Sequence, residues 1–163
     1  MRTDPCTKIK NISQLKRLVR RAQKLRKRVV FANGCFDLIH VGHIRYLREA
    51  KAQGDLLVVG INSDVSVARL KGSGRPLQSE AERCEILGSF ECVDYVTVFD
   101  DPTVDTLLLA LKPDIHAKGT DYTKESVPER DTVLSYGGKV AIVGDAKSHS
   151  SRDLIKDILS RFC

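Results

Sequence analysis

Two of the four histidines in this 163-residue chain, His40 and His43, flank Val41-Gly42 within the stretch FANGCFDLIHVGHIRYL, residues 31–47. Three residues apart at the mouth of a helical pattern, they share one face of a first helical turn. Such a turn carries free N–H groups and the positive end of the helix dipole, which together attract anions. Gly34 ends a short apolar run and lets a ligand come close to the backbone. Gly42 removes a side chain that could stand in the way of a phosphate. The chemistry these residues could do is to hold a phosphate and stabilise the charge that builds on its non-bridging oxygens when phosphorus is attacked. Zinc would want two or more further ligands, and only Cys35 is near. A lone histidine is usually a packing residue; a pair behind a glycine-bearing strand end is a weaker case for that reading. The spacing fits neither G-x-G-x-x-G nor the P-loop G-x-x-x-x-G-K-[ST].

The elements that must position these residues follow from hydrophobic periodicity. A first helix, capped by Ser13, runs to about Lys27. Strands are expected at 28–33, 55–62, 94–99, 114–118 and 139–143. Helices are expected at 41–53, 63–70, from a capping box of Ser79 and Glu82 onward, from Asp101-Pro102 to Lys112, near 127–136, and from Ser150 to Phe162. Strands alternating with helices make an α/β fold: a Rossmann-like doubly wound five-stranded parallel sheet with helices on both faces. For the order 3-2-1-4-5, the loops after the first and fourth strands meet at the switch point, where ligands bind. Those loops are GCFDLIHVGH and GTDYTK, the two least regular in the chain.

Composition bounds the function class. Ten of the 27 basic residues lie between Pro5 and Phe36 with no acid among them, so the rest of the chain holds 17 basic against 21 acidic residues. That basic run could bind nucleic acid or anionic lipid. Ile12, Leu15, Leu18, Val19, Ala22 and Leu25 recur within it at helical spacing, however, which is the pattern of a solvated amphipathic helix docked by its apolar side. Residues 1–27 are therefore expected to form a basic helix packed on a domain covering 28–163. The absence of Trp argues against a single-strand nucleic-acid binder. Five cysteines (Cys6, Cys35, Cys84, Cys92, Cys163) without a C-x-x-C pair fit reduced thiols in a cytoplasmic protein. No apolar run reaches a membrane-spanning length, and the N-terminus has no signal-peptide core.

The segments NGCFDLIHVGHIRYLREAKAQGD, GINSDVSVARLKGSGRP, ERCEILGSFECVDYVTVF and KPDIHAKGTDYT carry a resemblance. Together, over roughly residues 28–124, they resemble the H-x-G-H nucleotidyltransferase superfamily that includes the cytidylyltransferases. The match is most similar to its ADP-heptose synthase branch, the D-glycero-β-D-manno-heptose 1-phosphate adenylyltransferases. The resemblance implies that His40 and His43 bind the nucleotide phosphates and stabilise the transition state, with Lys71 as a further catalytic phosphate contact. It implies a nucleotide pocket lined by Asn33, Gly34, Cys35 and Phe36 and completed by Lys118, Gly119 and Asp121. Asp37 is implied to lie near the reacting phosphates or a metal, and Arg75, with Lys71 in LKGSGRP, to be a substrate-binding phosphate contact. The family closes with a Ser-Thr-Thr or Ser-Thr-Ser run opening a last helix. Ser150 and Ser151 match its first two places, and Arg152 replaces the third hydroxyl. Glu129 and Arg130, in VPERDTV, fall near the acceptor side.

The activity implied is transfer of AMP from ATP to a sugar 1-phosphate, with release of pyrophosphate and with Mg2+ held mainly by the nucleotide phosphates. Glycerol 3-phosphate with CTP, or FMN with ATP, are the alternatives within the superfamily; a nucleic-acid-binding protein is the alternative outside it. A homodimer is compatible with the family, through the first helix or the ILGSFECVDYV segment. The sugar-kinase domain of the bifunctional heptose enzymes has no counterpart in this chain.

Overall fold

The computed structural model describes residues 4–146 and 149–162; Cys163 lies outside them. A 3-10 turn (Pro5–Lys8) and α1 (Ile12–Lys24) lead into β1 (Val29–Gly34), α2 (Val41–Ala52), β2 (Leu56–Asn62), α3 (Asp64–Lys71) and α4 (Glu80–Gly88). β3 (Tyr95–Phe99), α5 (Asp105–Leu111), β4 (Ile115–Lys118), α6 (Arg130–Ser135), β5 (Lys139–Ile142) and α7 (Ser151–Phe162) follow. All pairings between these strands are parallel, in the order β3-β2-β1-β4-β5. The expected fold class and strand order are therefore those observed.

Because strand residues alternate between faces, β1 divides its side chains between two cores. Val30 and Ala32 join Leu57, Val59 and Ile61 beneath Leu47 and Ala50 of α2 and Cys84 and Leu87 of α4. Val29 and Phe31 join Val58 beneath Leu15, Val19 and Ala22 of α1 and Leu107, Leu108 and Leu111 of α5. Leu15, Val19 and Ala22 of the α1 stripe are thus spent inside the molecule, as are Leu87, Gly88, Val93 and Val96 of the ILGSFECVDYV segment. Ile12 and Leu25 at the two ends of α1 stay exposed, and Ile86 and Phe90 of the second stretch are half-buried. The chain before α1 covers the outer edge of β3, where Lys10 N–H donates to Val96 O at 2.8 Å. An occupied edge is protected against strand addition.

Three element starts differ from expectation, each for a packing or capping reason. α1 starts at Ile12 because Asn11 and Gln14 form the capping box, not Ser13. α5 starts at Asp105, beyond Asp101-Pro102, since Val104 turns into the core at 1% exposure before the helix begins. α6 is confined to Arg130–Ser135 because Val127 and Glu129 are drawn inward ahead of it. Among the described residues no helix is long and apolar enough to cross a membrane.

Candidate active site

β1 and β4 are neighbours whose chains leave toward opposite edges of the sheet, so a crevice opens beyond their carboxyl ends. α2 begins there. His40 occupies its N-cap position in extended conformation (φ −140, ψ 171), and His43 lies one turn in. The His43 Nδ1 accepts from the His40 backbone N–H at 3.4 Å. A neutral imidazole accepting at Nδ1 carries its proton on Nε2, so His43 keeps one N–H donor for a ligand. The two rings sit 3.9 Å apart between centroids, and Phe36 backs His43 at 5.2 Å. Phe36 is buried with φ +49, a left-handed conformation that is costly for a side chain of this size. Its ring occupies the space a Cβ on Gly34 would need, at 3.1 Å, so Gly34 admits the Phe36 ring. Gly42 acts similarly: a Cβ there would lie 3.0 Å from the His40 ring. These two glycines make room for the aromatic and imidazole rings of the site, which refines their expected role of making room for a ligand. Around Gly119, by contrast, a Cβ would meet nothing within 4 Å.

Burial, and then the neighbouring His40, push the His43 pKa down to about 4; burial, and then His149, lower that of His40. The fully buried His116 on β4 is pushed down to about 3, chiefly by burial. Near neutrality His43 and His116 are therefore neutral, and His43 donates without carrying charge. A folded-state pKa below the ordinary histidine value means that the unfolded chain takes up protons first as pH falls. The stability present above about pH 6.5 is then lost on acidification, progressively toward pH 4. At about 1.4 kcal/mol per unit of difference, His43 alone accounts for up to roughly 3 kcal/mol of that loss. Urea midpoints measured between pH 7.5 and 4.5 should fall steadily, and His43→Gln should flatten part of the slope. A flat profile in the parent protein would contradict the burial of both imidazoles.

The loop between α3 and α4 is drawn onto the site by Asp37. Its carboxylate, 2% exposed, accepts from Arg75 Nε at 2.5 Å and from the amides of Leu77 and Gln78 at 2.7 and 2.9 Å. Asp37 and Arg75, both expected to face substrate, are thus engaged with each other. These partners leave Asp37 one acceptor position, on Oδ2, and no cluster of three metal-ligating side chains occurs among the described residues. Lys71 stands exposed at the end of α3, close enough, with Arg83 and Arg75, to oppose the upward push that burial exerts on the Cys35 thiol. By its place in the polar start of α4, Arg83 reads from the sequence as a residue that could form a surface pair with Glu80. The guanidinium is instead fully buried, donating to the carbonyls of Cys35 (2.7 Å), Asn62 (2.8 Å) and Gln78 (3.1 Å) and to Asp64 Oδ1 (2.7 Å). Its spacing of four from Leu87 was the available signal, since it puts Arg83 on the inward face of α4.

On the β4 side, Lys118 is buried and reaches Asn33 Oδ1 at 3.3 Å and Glu129 Oε2 at 3.1 Å. His116 Nε2 lies 3.0 Å from the same Asn33 oxygen and donates to it in the neutral form. Nothing in the sequence marked His116. Asp121 is exposed in the turn after Gly119. At the remaining edge, Ser150 caps α7: its Oγ accepts from the Asp153 amide at 3.1 Å and donates to Asp153 Oδ2 at 2.6 Å. Ser151 donates to the Leu38 carbonyl at 3.0 Å, which sets the start of α7 against the loop that carries His40. Arg152 and Arg130 are exposed on the first turns of α7 and α6, with Arg130 paired to Asp131 at 3.3 Å.

The structure therefore gathers Asn33 to Asp37, His40, His43, Lys71, Arg75, Lys118, Gly119 and Ser151 around one crevice. It directs Asp37, Arg75 and Ser150 toward partners within the chain.

A family model described as cytidylyltransferase-like matches residues 31–155. Bifunctional protein HldE of Pelobacter propionicus is 49% identical over 160 residues, which is 98% of this chain and 33% of that protein. Bifunctional protein HldE of Geobacter metallireducens is 48% identical over 160 residues, with the same coverage. The chain thus spans about a third of the length of these relatives. Among solved structures, a lipopolysaccharide core biosynthesis protein from Thermoplasma volcanium superposes with a TM-score of 0.64 at 28% identity, covering 74% of this chain and 99% of that one. Pantoate-beta-alanine ligase from Francisella tularensis superposes with a TM-score of 0.62 at 17% identity, covering 94% and 79%, and shares the fold.

Proposed function

Because the chain belongs to the cytidylyltransferase-like family, we propose that it is an adenylyltransferase acting on ATP and a sugar 1-phosphate, with D-glycero-β-D-manno-heptose 1-phosphate as the acceptor. The observation that carries this reading is the imidazole pair at the start of α2, with His43 Nδ1 held by the His40 amide and Nε2 left to donate. An oxygen of the acceptor phosphate attacks the α-phosphorus of ATP in line. A new O–P bond forms, the bond to the β-phosphate oxygen breaks, and pyrophosphate leaves with the electron pair. No side chain serves as nucleophile. Charge growing on the α-phosphate oxygens meets the His43 Nε2–H, His40, the free amides of α2 and the Lys71 ammonium. Lys118, Gly119 and Asp121 border the nucleotide, and Arg130 and Arg152 lie toward the acceptor and phosphates. Mg2+ held mainly by the nucleotide phosphates, with Asp37, the carboxylate of the first loop, beside them, would supply positive charge to the triphosphate when bound. The free cysteines among the described residues agree with a cytoplasmic location. Pyrophosphate release, assayed with ATP, CTP and GTP against heptose 1-phosphate, other sugar 1-phosphates, glycerol 3-phosphate and FMN, tests the proposal. ATP with the heptose phosphate should give ADP-heptose and pyrophosphate in equal amounts. Turnover only with CTP and glycerol 3-phosphate, or with FMN, would replace it, and no turnover with any pair would overturn it.

A further inference from the structure

Glu129 is a buried acid to which the mechanism gives no work. It sits just ahead of α6, its side chain 8% exposed, and its carboxylate is placed at 3.1 and 3.4 Å from Lys118 Nζ. The Lys118 side chain is 9% exposed. Its ammonium also reaches Asn33 Oδ1 at 3.3 Å and stands over the Tyr122 ring, 5.2 Å from the centroid. A dry ion pair is a poor source of stability, since desolvating two charges offsets most of their attraction, and an apolar pair of the same size would hold the fold as well. At the switch point of the sheet such a pair is better explained by a ligand than by packing. An ammonium has three N–H donors. Asn33 and Glu129 take two of them, and Lys118 adjoins Gly119, where a Cβ would meet nothing within 4 Å.

We propose that Glu129 is a positioning residue: by clamping Lys118 against Asn33 it aims the remaining N–H of Lys118 at the nucleotide. The inference rests on the adenylyltransferase reading. Without the carboxylate, a four-carbon side chain regains its freedom to swing, and the nucleotide loses a fixed donor.

Steady-state kinetics of Glu129→Gln, Glu129→Asp, Lys118→Met and the double variant Lys118→Met/Glu129→Gln test this in the full chain. Glu129→Gln should raise KM for ATP about tenfold and change KM for the acceptor less than twofold. Glu129→Asp should recover part of the loss. The double variant should be no worse than Lys118→Met alone, since a residue acting through another adds nothing once that other is gone. A role in folding alone would lower the active fraction and leave both KM values in place, and that result overturns the proposal. So does a rise confined to the acceptor KM, or additive losses in the double variant. If Glu129→Gln does not fold, the double variant, which removes both charges, should fold and match Lys118→Met; failure of that match also overturns it. Absence of product from the parent protein would instead be a failure of the adenylyltransferase reading.

Discussion

Replacing His43 with alanine is expected to lower kcat by about 10²–10³ while the melting temperature stays close to that of the parent. That range is the cost of deleting one pre-placed donor to a transition-state oxyanion. The ring is held from three directions, by the His40 amide at its Nδ1, by the Phe36 ring and by the His40 ring. Its remaining nitrogen is thus committed in direction before any substrate arrives, and burial keeps it from carrying charge near neutrality. Asparagine at this position keeps a donor but not the reach of the ring, so His43→Asn should fall between the two. KM for ATP should move less than kcat, because the contact strengthens as charge develops in the transition state. A His43→Ala protein with full turnover would remove the phosphate-donor role.

The largest effect on stability is expected at Arg83. Its guanidinium reaches the carbonyls of Cys35 and Asn62 at the ends of β1 and β2, the carbonyl of Gln78 before α4, and the Asp64 carboxylate at the start of α3. Methionine fills similar volume but leaves these acceptors without donors in the interior. Breaking a buried charged network in this way costs roughly 3–5 kcal/mol, which for a chain of this length lowers Tm by roughly 10–15 °C. Lysine at 83 should not rescue it, because one ammonium cannot span acceptors spread over a planar fork. Activity per folded molecule should fall as well, since Cys35 lies in the loop that the proposed function sets against the nucleotide. Denaturation showing Arg83→Met within about 1 kcal/mol of the parent would refute this account.

These two residues were unequally visible in the sequence. His43 announces itself, because the H-x-G-H spacing follows a glycine-bearing strand end and precedes helical periodicity. Arg83 does not: a charged residue in a polar helix start reads as solvated, and only its spacing from Leu87 points inward. His116 is equally hidden. It lies in the middle of a short strand whose two faces are both covered, so no alternation distinguishes a buried histidine from an exposed one. Asp37 was legible as an acid of the first loop, but its three partners come from Arg75, Leu77 and Gln78, about forty residues away. Local pattern carries no information about such pairings. The starts of α1, α5 and α6 moved for the same kind of reason: competing caps or inward-turning side chains won over the local signal.

What the sequence determined by itself is whatever depends on period and neighbourhood: five strands alternating with helices, the first and fourth loops meeting at the switch point, and two imidazoles on one helical turn. The tertiary structure alone decided which charges remain available. Arg75 is bound to Asp37, Arg83 to three carbonyls and Asp64, and Lys118 to Glu129, while Lys71 stands exposed. The reason is physical. A cation's partner is set by distance through space after the sheet has assembled, and burial then decides whether that partner is protein or ligand.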